Sequence, residues 1–98
     1  MPGKGGHVYI IANQNHSVLY TGSTSNLHQR IWQHRNKFYP RSFSARYNCF
    51  KLIYYKAYAR IEEAIAEEYR IKGGSRKAKL TLIEDFNPEW KDLYESLG

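Results

Sequence analysis

The sequence predicts an α+β fold, a small three-stranded antiparallel sheet flanked by helices, and three observations carry that expectation. Runs rich in β-branched and aromatic residues are separated by segments with ~3.6-residue apolar periodicity. The first two strand-like runs are close enough in the chain to pair as a hairpin. Turn and capping residues divide the rest into the order β-β-α-β-α-α-α, which places helices against a mainly antiparallel sheet.

His7 to Ala12 reads as the first strand. Asn13-Gln14-Asn15-His16 is a turn cluster, and Val18 to Thr21 resumes strand character in a hairpin closed at Gly22. From Asn26 to about Asn36 the pattern becomes helical, with Leu27 and Ile31 four apart and Ser25 as the N-cap. Residues 37–50 hold Pro40, several Ser and Asn and many basic groups, and are expected to be a loop. Lys51 to Tyr58 is the third strand. Ile61 to Lys72 is a helix stopped by Gly73-Gly74. Ser75 caps a further helix to about Phe86, and Asn87-Pro88 reads as an N-cap and first helical position of a short last helix to Leu97.

With 98 residues and 42% hydrophobic content, one globular domain over 1–98 is expected. No apolar run approaches the ~20 residues that span a bilayer, and Met1-Pro2-Gly3-Lys4-Gly5-Gly6 has no apolar stretch of signal-peptide type behind it. Cys49 alone makes neither an internal disulfide nor a cysteine-built zinc site, which fits a reduced, cytoplasmic setting. Charge is distributed unevenly. Residues 1–61 carry nine basic groups and no acid, whereas all nine acids lie from Glu62 to Glu95, beside six basic residues. Such a field attracts a polyanion. Arg35, Lys37, Arg41 and Arg46 lie in a run interleaved with Trp32, Phe38, Tyr39, Phe43, Tyr47 and Phe50, aromatics that can stack on unpaired bases. The bland alternative is a solvated basic face with core aromatics.

Several residues sit oddly for a purely structural role. On the helix 61–72, a ~100° step per residue puts Glu68 in the middle of the stripe defined by Ile61 and Ile65. Glu62, Glu63 and Glu67 are expected to point away. A buried carboxylate needs a partner, a proton or a metal, so Glu68 is either a salt-bridge residue or a ligand for a hard cation. On the helix 26–36, Arg30 and His34 fall on or beside the face of Leu27 and Ile31. An arginine there can hold a phosphate bidentately, or pair with Glu68. A histidine there is a general base, a phosphate donor or a satisfied core residue. Tyr9 and Tyr20 on the paired strands would ordinarily be packing, and Asn87 a helix cap. No phosphate loop of Walker type, zinc spacing, nucleophile elbow or glycosidase-type acid pair is found.

Taken in order, these residues resemble a known family. Val8-Tyr9, then Tyr20-Thr21-Gly22, then Arg30 and His34 on the following helix are similar to the GIY-YIG nuclease domain. Ile61-Glu62-Glu63-Ala64-Ile65-Ala66-Glu67-Glu68, Ile71-Lys72-Gly73-Gly74-Ser75-Arg76 and Asn87-Pro88-Glu89-Trp90 resemble its small stand-alone bacterial branch. The departures are His7 where the first motif has Gly, Val8 for its Ile, and Thr21 for the Ile of the second. Both tyrosines remain. The resemblance implies a divalent cation, normally magnesium with manganese as an alternative, and hydrolysis of phosphodiester bonds in DNA. It implies Glu68 as metal ligand, Arg30 as catalytic arginine, Tyr9 and Tyr20 as signature tyrosines assisted by His34, and Gly22 as signature glycine. Asn87 matches a polar site residue of many members, and Ser75 and Arg76 join the basic residues as substrate contacts.

In that reading Tyr9 accepts a proton from water with the help of His34, and Tyr20 orients nucleophile or phosphate. A phenol near its ordinary pKa of ~10 is a poor base at neutral pH, so cationic surroundings are expected to lower it. With no appended recognition domain, sequence specificity is expected to be low or supplied by a protein partner. DNA repair or processing is the family-level expectation, with branched, damaged or single-stranded DNA as substrates and RNA left open. The alternative is a nucleic-acid-binding module of the same fold with little or no turnover.

Overall fold

Five consecutive residues from Val8 to Ala12 are almost wholly shielded from solvent, a pattern that requires cover on both faces of their strand. A computed structural model, describing residues 5–97, supplies that cover. Strand β1 (Gly6–Ala12) is the centre of an antiparallel sheet of order β2-β1-β3, with β2 (Leu19–Thr24) and β3 (Lys51–Tyr58) at its edges. Tyr9 lies opposite Gly22 on β2 and Tyr55 on β3, and the β1–β3 register shifts between Ile10 and Ile11.

Alternation splits the core between the two faces. Val8, Ile10 and Ala12 pack with Ile53, Ile71 and Ile83 beneath α3 (Ile61–Lys72) and α4 (Arg76–Phe86). Tyr9 and Ile11 pack with Leu27, Ile31, Cys49 and Leu52 beneath α1 (Leu27–Arg35). Helix α3 approaches β1 closely because Gly6 has no side chain: a Cβ there would press on Ile61 Cα, Ile61 Cδ1 and Ala64 Cβ. Among the described residues no helix is long and apolar enough to cross a membrane.

The structure corrects several local expectations. Asn26, not Ser25, caps α1, its Oδ1 accepting from the Gln29 amide at 3.1 Å. The hairpin does not close at Gly22: β2 runs on to Thr24, and Gly22 is a paired position inside it. Residues 37–50 are not all loop, since Ser42 caps a four-residue helix α2 (Phe43–Arg46). No helix starts at Pro88. Asn87 ends α4 instead, and the tail forms only a 3₁₀ turn at Tyr94–Leu97. The reason is that the Asn87 side chain turns back into the core. Its Nδ2 donates to the carbonyls of Ile53 (3.1 Å) and Lys91 (2.8 Å), and its Oδ1 accepts from the Lys91 amide.

Candidate active site

Tyr9 and Tyr20 lie on the α1 face of the sheet with ring centroids 6.5 Å apart. Gly22 makes that arrangement feasible, because a Cβ at this position would overlap the Tyr9 Oη and Cζ. One turn after Arg30, helix α1 delivers His34, whose ring stands 5.6 Å from both tyrosine rings. His34 is buried and uses both ring nitrogens: Nε2 lies 2.8 Å from Tyr9 Oη and Nδ1 2.7 Å from Ser44 Oγ. The guanidinium of Arg30 is half-buried beside the Tyr9 phenol, steadied by Gln33 Oε1 at 3.1 Å and by the Tyr39 ring, 5.5 Å from the guanidinium carbon.

Burial governs the proton affinities here. It pushes the Tyr9 phenol well above its ordinary value, further than the neighbouring Arg30 charge pulls it back. The expectation that cationic surroundings lower the Tyr9 pKa is thus reversed in this structure, because the strand carrying Tyr9 is covered on both faces. Burial, aided by the Arg30 charge, lowers His34 to about 4. At neutral pH Tyr9 is therefore a phenol and His34 a neutral imidazole. Their contact is a hydrogen bond whose direction depends on which ring nitrogen of His34 carries the proton.

Glu68 reaches the same edge of the sheet from the opposite face. Its Oε1 accepts from Ser23 Oγ on β2, and its Oε2 pairs with Lys72 Nζ at 2.5 Å. Lys72 Nζ also lies 5.9 Å from the Tyr20 ring centroid, which links the carboxylate to the tyrosine pair. The cation beside Glu68 is thus Lys72, and not Arg30. The helical phase is also rotated from the expected one. Glu67 is as shielded as Glu68 (16% and 15% side-chain exposure), while Ile65 is exposed, because α3 packs through Ala64 and Ile71. Arg70 holds Glu67.

Among the described residues no three His, Cys, Asp or Glu side chains gather into a metal-binding group. The donor set nevertheless fits a hard cation that keeps most of its waters. Glu68, a shielded carboxylate at the β2 edge beside the tyrosine pair, is the residue that would hold such an ion, in place of Lys72.

The other predicted contacts are dispersed. Arg35 is tied into the fold, donating to Asp92 Oδ2 (2.6 Å) and the Phe50 carbonyl with its guanidinium carbon 4.5 Å from the Tyr94 ring centroid. Ser75 caps α4, and Arg76 donates to the His16 carbonyl at the β1–β2 turn. Asn87 is occupied in the core as described. Lys37, Arg41 and Arg46 are exposed, with Lys37 bonded to Asn48. Reasoning from the residues alone missed Ser23, Ser44 and Lys72. The i,i+4 spacing of Glu68 and Lys72 was a usable signal for the ion pair, whereas nothing in the pattern marks Ser44.

Residues 5–81 match the model of the GIY-YIG catalytic domain. A UPF0213 protein of Oceanobacillus iheyensis is 40% identical over 78 residues, covering 80% of this chain and 88% of its own. One of Clostridium perfringens is 39% identical over 77 residues, covering 79% and 81%. The solution NMR structure of a UPF0213 protein from Bacillus halodurans superposes with a TM-score of 0.57 at 28% identity, over 93% of this chain and 95% of that one. Its sheet and flanking helices are the architecture described above. The chain therefore belongs to the GIY-YIG catalytic domain family, alongside the small bacterial UPF0213 proteins.

Proposed function

We propose that this protein is a magnesium-dependent endonuclease that hydrolyses phosphodiester bonds in DNA with little intrinsic sequence preference. GIY-YIG domains are in general nucleases that act on nucleic acid with a divalent metal. The observation that supports the reading for this chain is a convergence: Tyr9, Tyr20, Arg30 and His34 from one face of the sheet meet Glu68 from the other at the β2 edge. Phosphodiester hydrolysis needs an activated water, neutralised phosphoryl oxygens and a stabilised leaving oxygen. Arg30 binds the phosphate as negative charge builds on it. Tyr9 takes a proton from the attacking water as its own phenolic proton passes to His34 Nε2, so no phenolate need exist beforehand. Tyr20 orients the nucleophile or the phosphate. A divalent ion, with manganese as an alternative to magnesium, would polarise the phosphoryl group and stabilise the leaving oxygen. A protein partner supplying specificity, and work in DNA repair or processing in the cytoplasm, complete the proposal.

A second reading, a binding module with little turnover, is favoured by one observation: Lys72 is ion-paired to the Glu68 carboxylate. Purified protein incubated with supercoiled plasmid, labelled single-stranded and branched DNA, and RNA separates the two. Magnesium-dependent cleavage that is lost with EDTA, in Glu68→Gln and in Arg30→Ala is the expected result. Binding without cleavage on every substrate supports the module.

A further inference from the structure

Beyond the tyrosines, the arginine and the histidine, one further residue has its position set by this cluster. Ser44 is 2% exposed on α2, and His34 is 7% exposed on α1. A buried hydroxyl and a buried imidazole both require partners, and these two satisfy each other at 2.7 Å. A neutral imidazole has one donor and one acceptor nitrogen, so the partner of Nδ1 decides what Nε2 can do. The direction of the chain follows from its two ends. At one end the Arg30 charge stands beside Tyr9 Oη, so the phenolic proton turns away from it, toward His34 Nε2 at 2.8 Å. At the other end Ser42 Oγ lies 3.2 Å from Ser44 Oγ, and as the N-cap of α2 it already serves as an acceptor for the Ala45 amide. Its second lone pair is placed to accept the Ser44 proton once Nδ1 carries the imidazole proton. Ser44 is then left to accept from His34.

We propose that Ser44 is a positioning residue of the active site: it accepts the Nδ1–H of His34 and thereby holds the Nε2 lone pair on Tyr9 Oη. The relay then runs Tyr9 Oη–H to His34 Nε2, His34 Nδ1–H to Ser44 Oγ, and Ser44 Oγ–H to Ser42 Oγ. When water loses a proton to Tyr9, the Tyr9 proton moves to Nε2. The imidazolium so formed keeps both N–H bonds satisfied, by Tyr9 and by Ser44, until Tyr9 gives the proton taken from water to the leaving oxygen or to solvent and takes the Nε2 proton back. No atom is gained or lost by the chain. The catalytic part of this inference rests on the nuclease reading, whereas the tautomer assignment does not. Helix α2 is what carries Ser44 to the ring, which gives the short helix a function in the site beyond joining α1 to β3.

The test is long-range ¹H–¹⁵N NMR of the His34 ring in the full chain, paired with single-turnover cleavage of a labelled DNA by wild type, Ser44→Ala and Ser44→Thr. In wild type, Nδ1 is expected to carry the proton and Nε2 to be unprotonated at neutral pH. Ser44→Ala is expected to mix the tautomers and lower the cleavage rate about 10- to 100-fold, the loss typical when the orienting partner of a functional histidine is removed, with DNA affinity unchanged. Ser44→Thr keeps the hydroxyl and restores both readouts, which a general folding defect in Ser44→Ala would not explain. An Nε2-protonated His34 in wild type, or ring resonances that ignore Ser44→Ala, overturns the proposal. If wild type cleaves no substrate, the nuclease reading fails while the ring resonances still decide the tautomer. If wild type cleaves, Glu68→Gln does not, and Ser44→Ala cleaves normally, the Ser44 role alone falls.

Discussion

Two side chains of the candidate site each yield a measurement. Glu68 faces a built-in cation, Lys72, across a pair that is 15% and 45% exposed. A partly exposed pair of this kind is worth up to ~1 kcal/mol, so Lys72→Met should tighten Mn²⁺ binding about two- to fivefold, read by titration calorimetry. Unchanged affinity would mean that Lys72 does not compete for the carboxylate. His34 yields a stability signature. Its folded pKa of about 4 lies below the unfolded 6.5, so between these values the unfolded chain binds more protons and stability falls as pH falls. The contribution is fully present above about pH 6.5 and gone below about pH 4. Discounted for solvent on the open side of the site, it amounts to about 2 kcal/mol. Urea unfolding of wild type against His34→Gln should show the wild-type advantage shrinking by most of that amount between pH 7.5 and 4.5, and a pH-independent difference would refute the burial argument. At this scale Arg30 and His34 stand out in the sequence from their place beside Leu27 and Ile31, whereas Glu68 is singled out by a stripe through Ile65 that the fold leaves exposed. Ser44 violates nothing, because a serine in a polar segment is unremarkable until the ring it binds is in place.

At the scale of elements, legibility followed the strength of local signals. Helix α3 begins and ends where expected, with Glu62 and Glu63 in its first turn, Arg70 and Lys72 in its last, and Gly73 beyond. Helix α4 likewise starts after Ser75. Segments with weak or competing signals were misread for a tertiary reason. Asn87 can cap a helix, but its hydrogen bonds to the Ile53 carbonyl and the Lys91 backbone replace that role. The face of α3 was misjudged because packing centres on Ala64, whose small side chain lets the helix settle onto Gly6 of β1, leaving the larger Ile65 outside. That close approach makes a prediction of its own. Gly6→Ala places a methyl against the Ile61 Cα, which cannot rotate away, and should destabilise the fold by about 1–3 kcal/mol. It should also displace α3, and with it Glu68, so cleavage should weaken even where the variant is fully folded. A melting temperature equal to wild type would show that α3 has room to move.

For the whole molecule the relevant quantity is where unpaired charge remains after folding. Among the described residues, folding uses Arg35 on Asp92 and Arg60 on Glu62, while Arg30, Lys37, Arg41 and Arg46 form no ion pair. These four belong to the same stretch as the exposed rings of Trp32, Phe38, Tyr39, Phe43 and Tyr47. The stretch begins at the tyrosine pair: Phe43 stacks on Tyr20 with centroids 6.1 Å apart, and Tyr47 lies 4.6 Å beyond Phe43. The charge asymmetry read from the sequence thus becomes a basic, aromatic surface continuous with the tyrosine pair, because the acids of the second half are spent on local partners such as Arg70, Lys72 and Lys91. If these four cations each meet a phosphate, the affinity for DNA should fall on the order of 100-fold between ~50 and ~200 mM salt, a log–log slope of about −3 to −4. Arg41→Ala with Arg46→Ala, both far from Tyr9 in the chain and exposed, should flatten that slope by about two while leaving the melting temperature unchanged. A slope near zero in wild type would mean that no cation of the chain neutralises a phosphate. An unchanged slope in the double variant would assign the phosphate contacts to Arg30, Lys37 and the α4 basic residues.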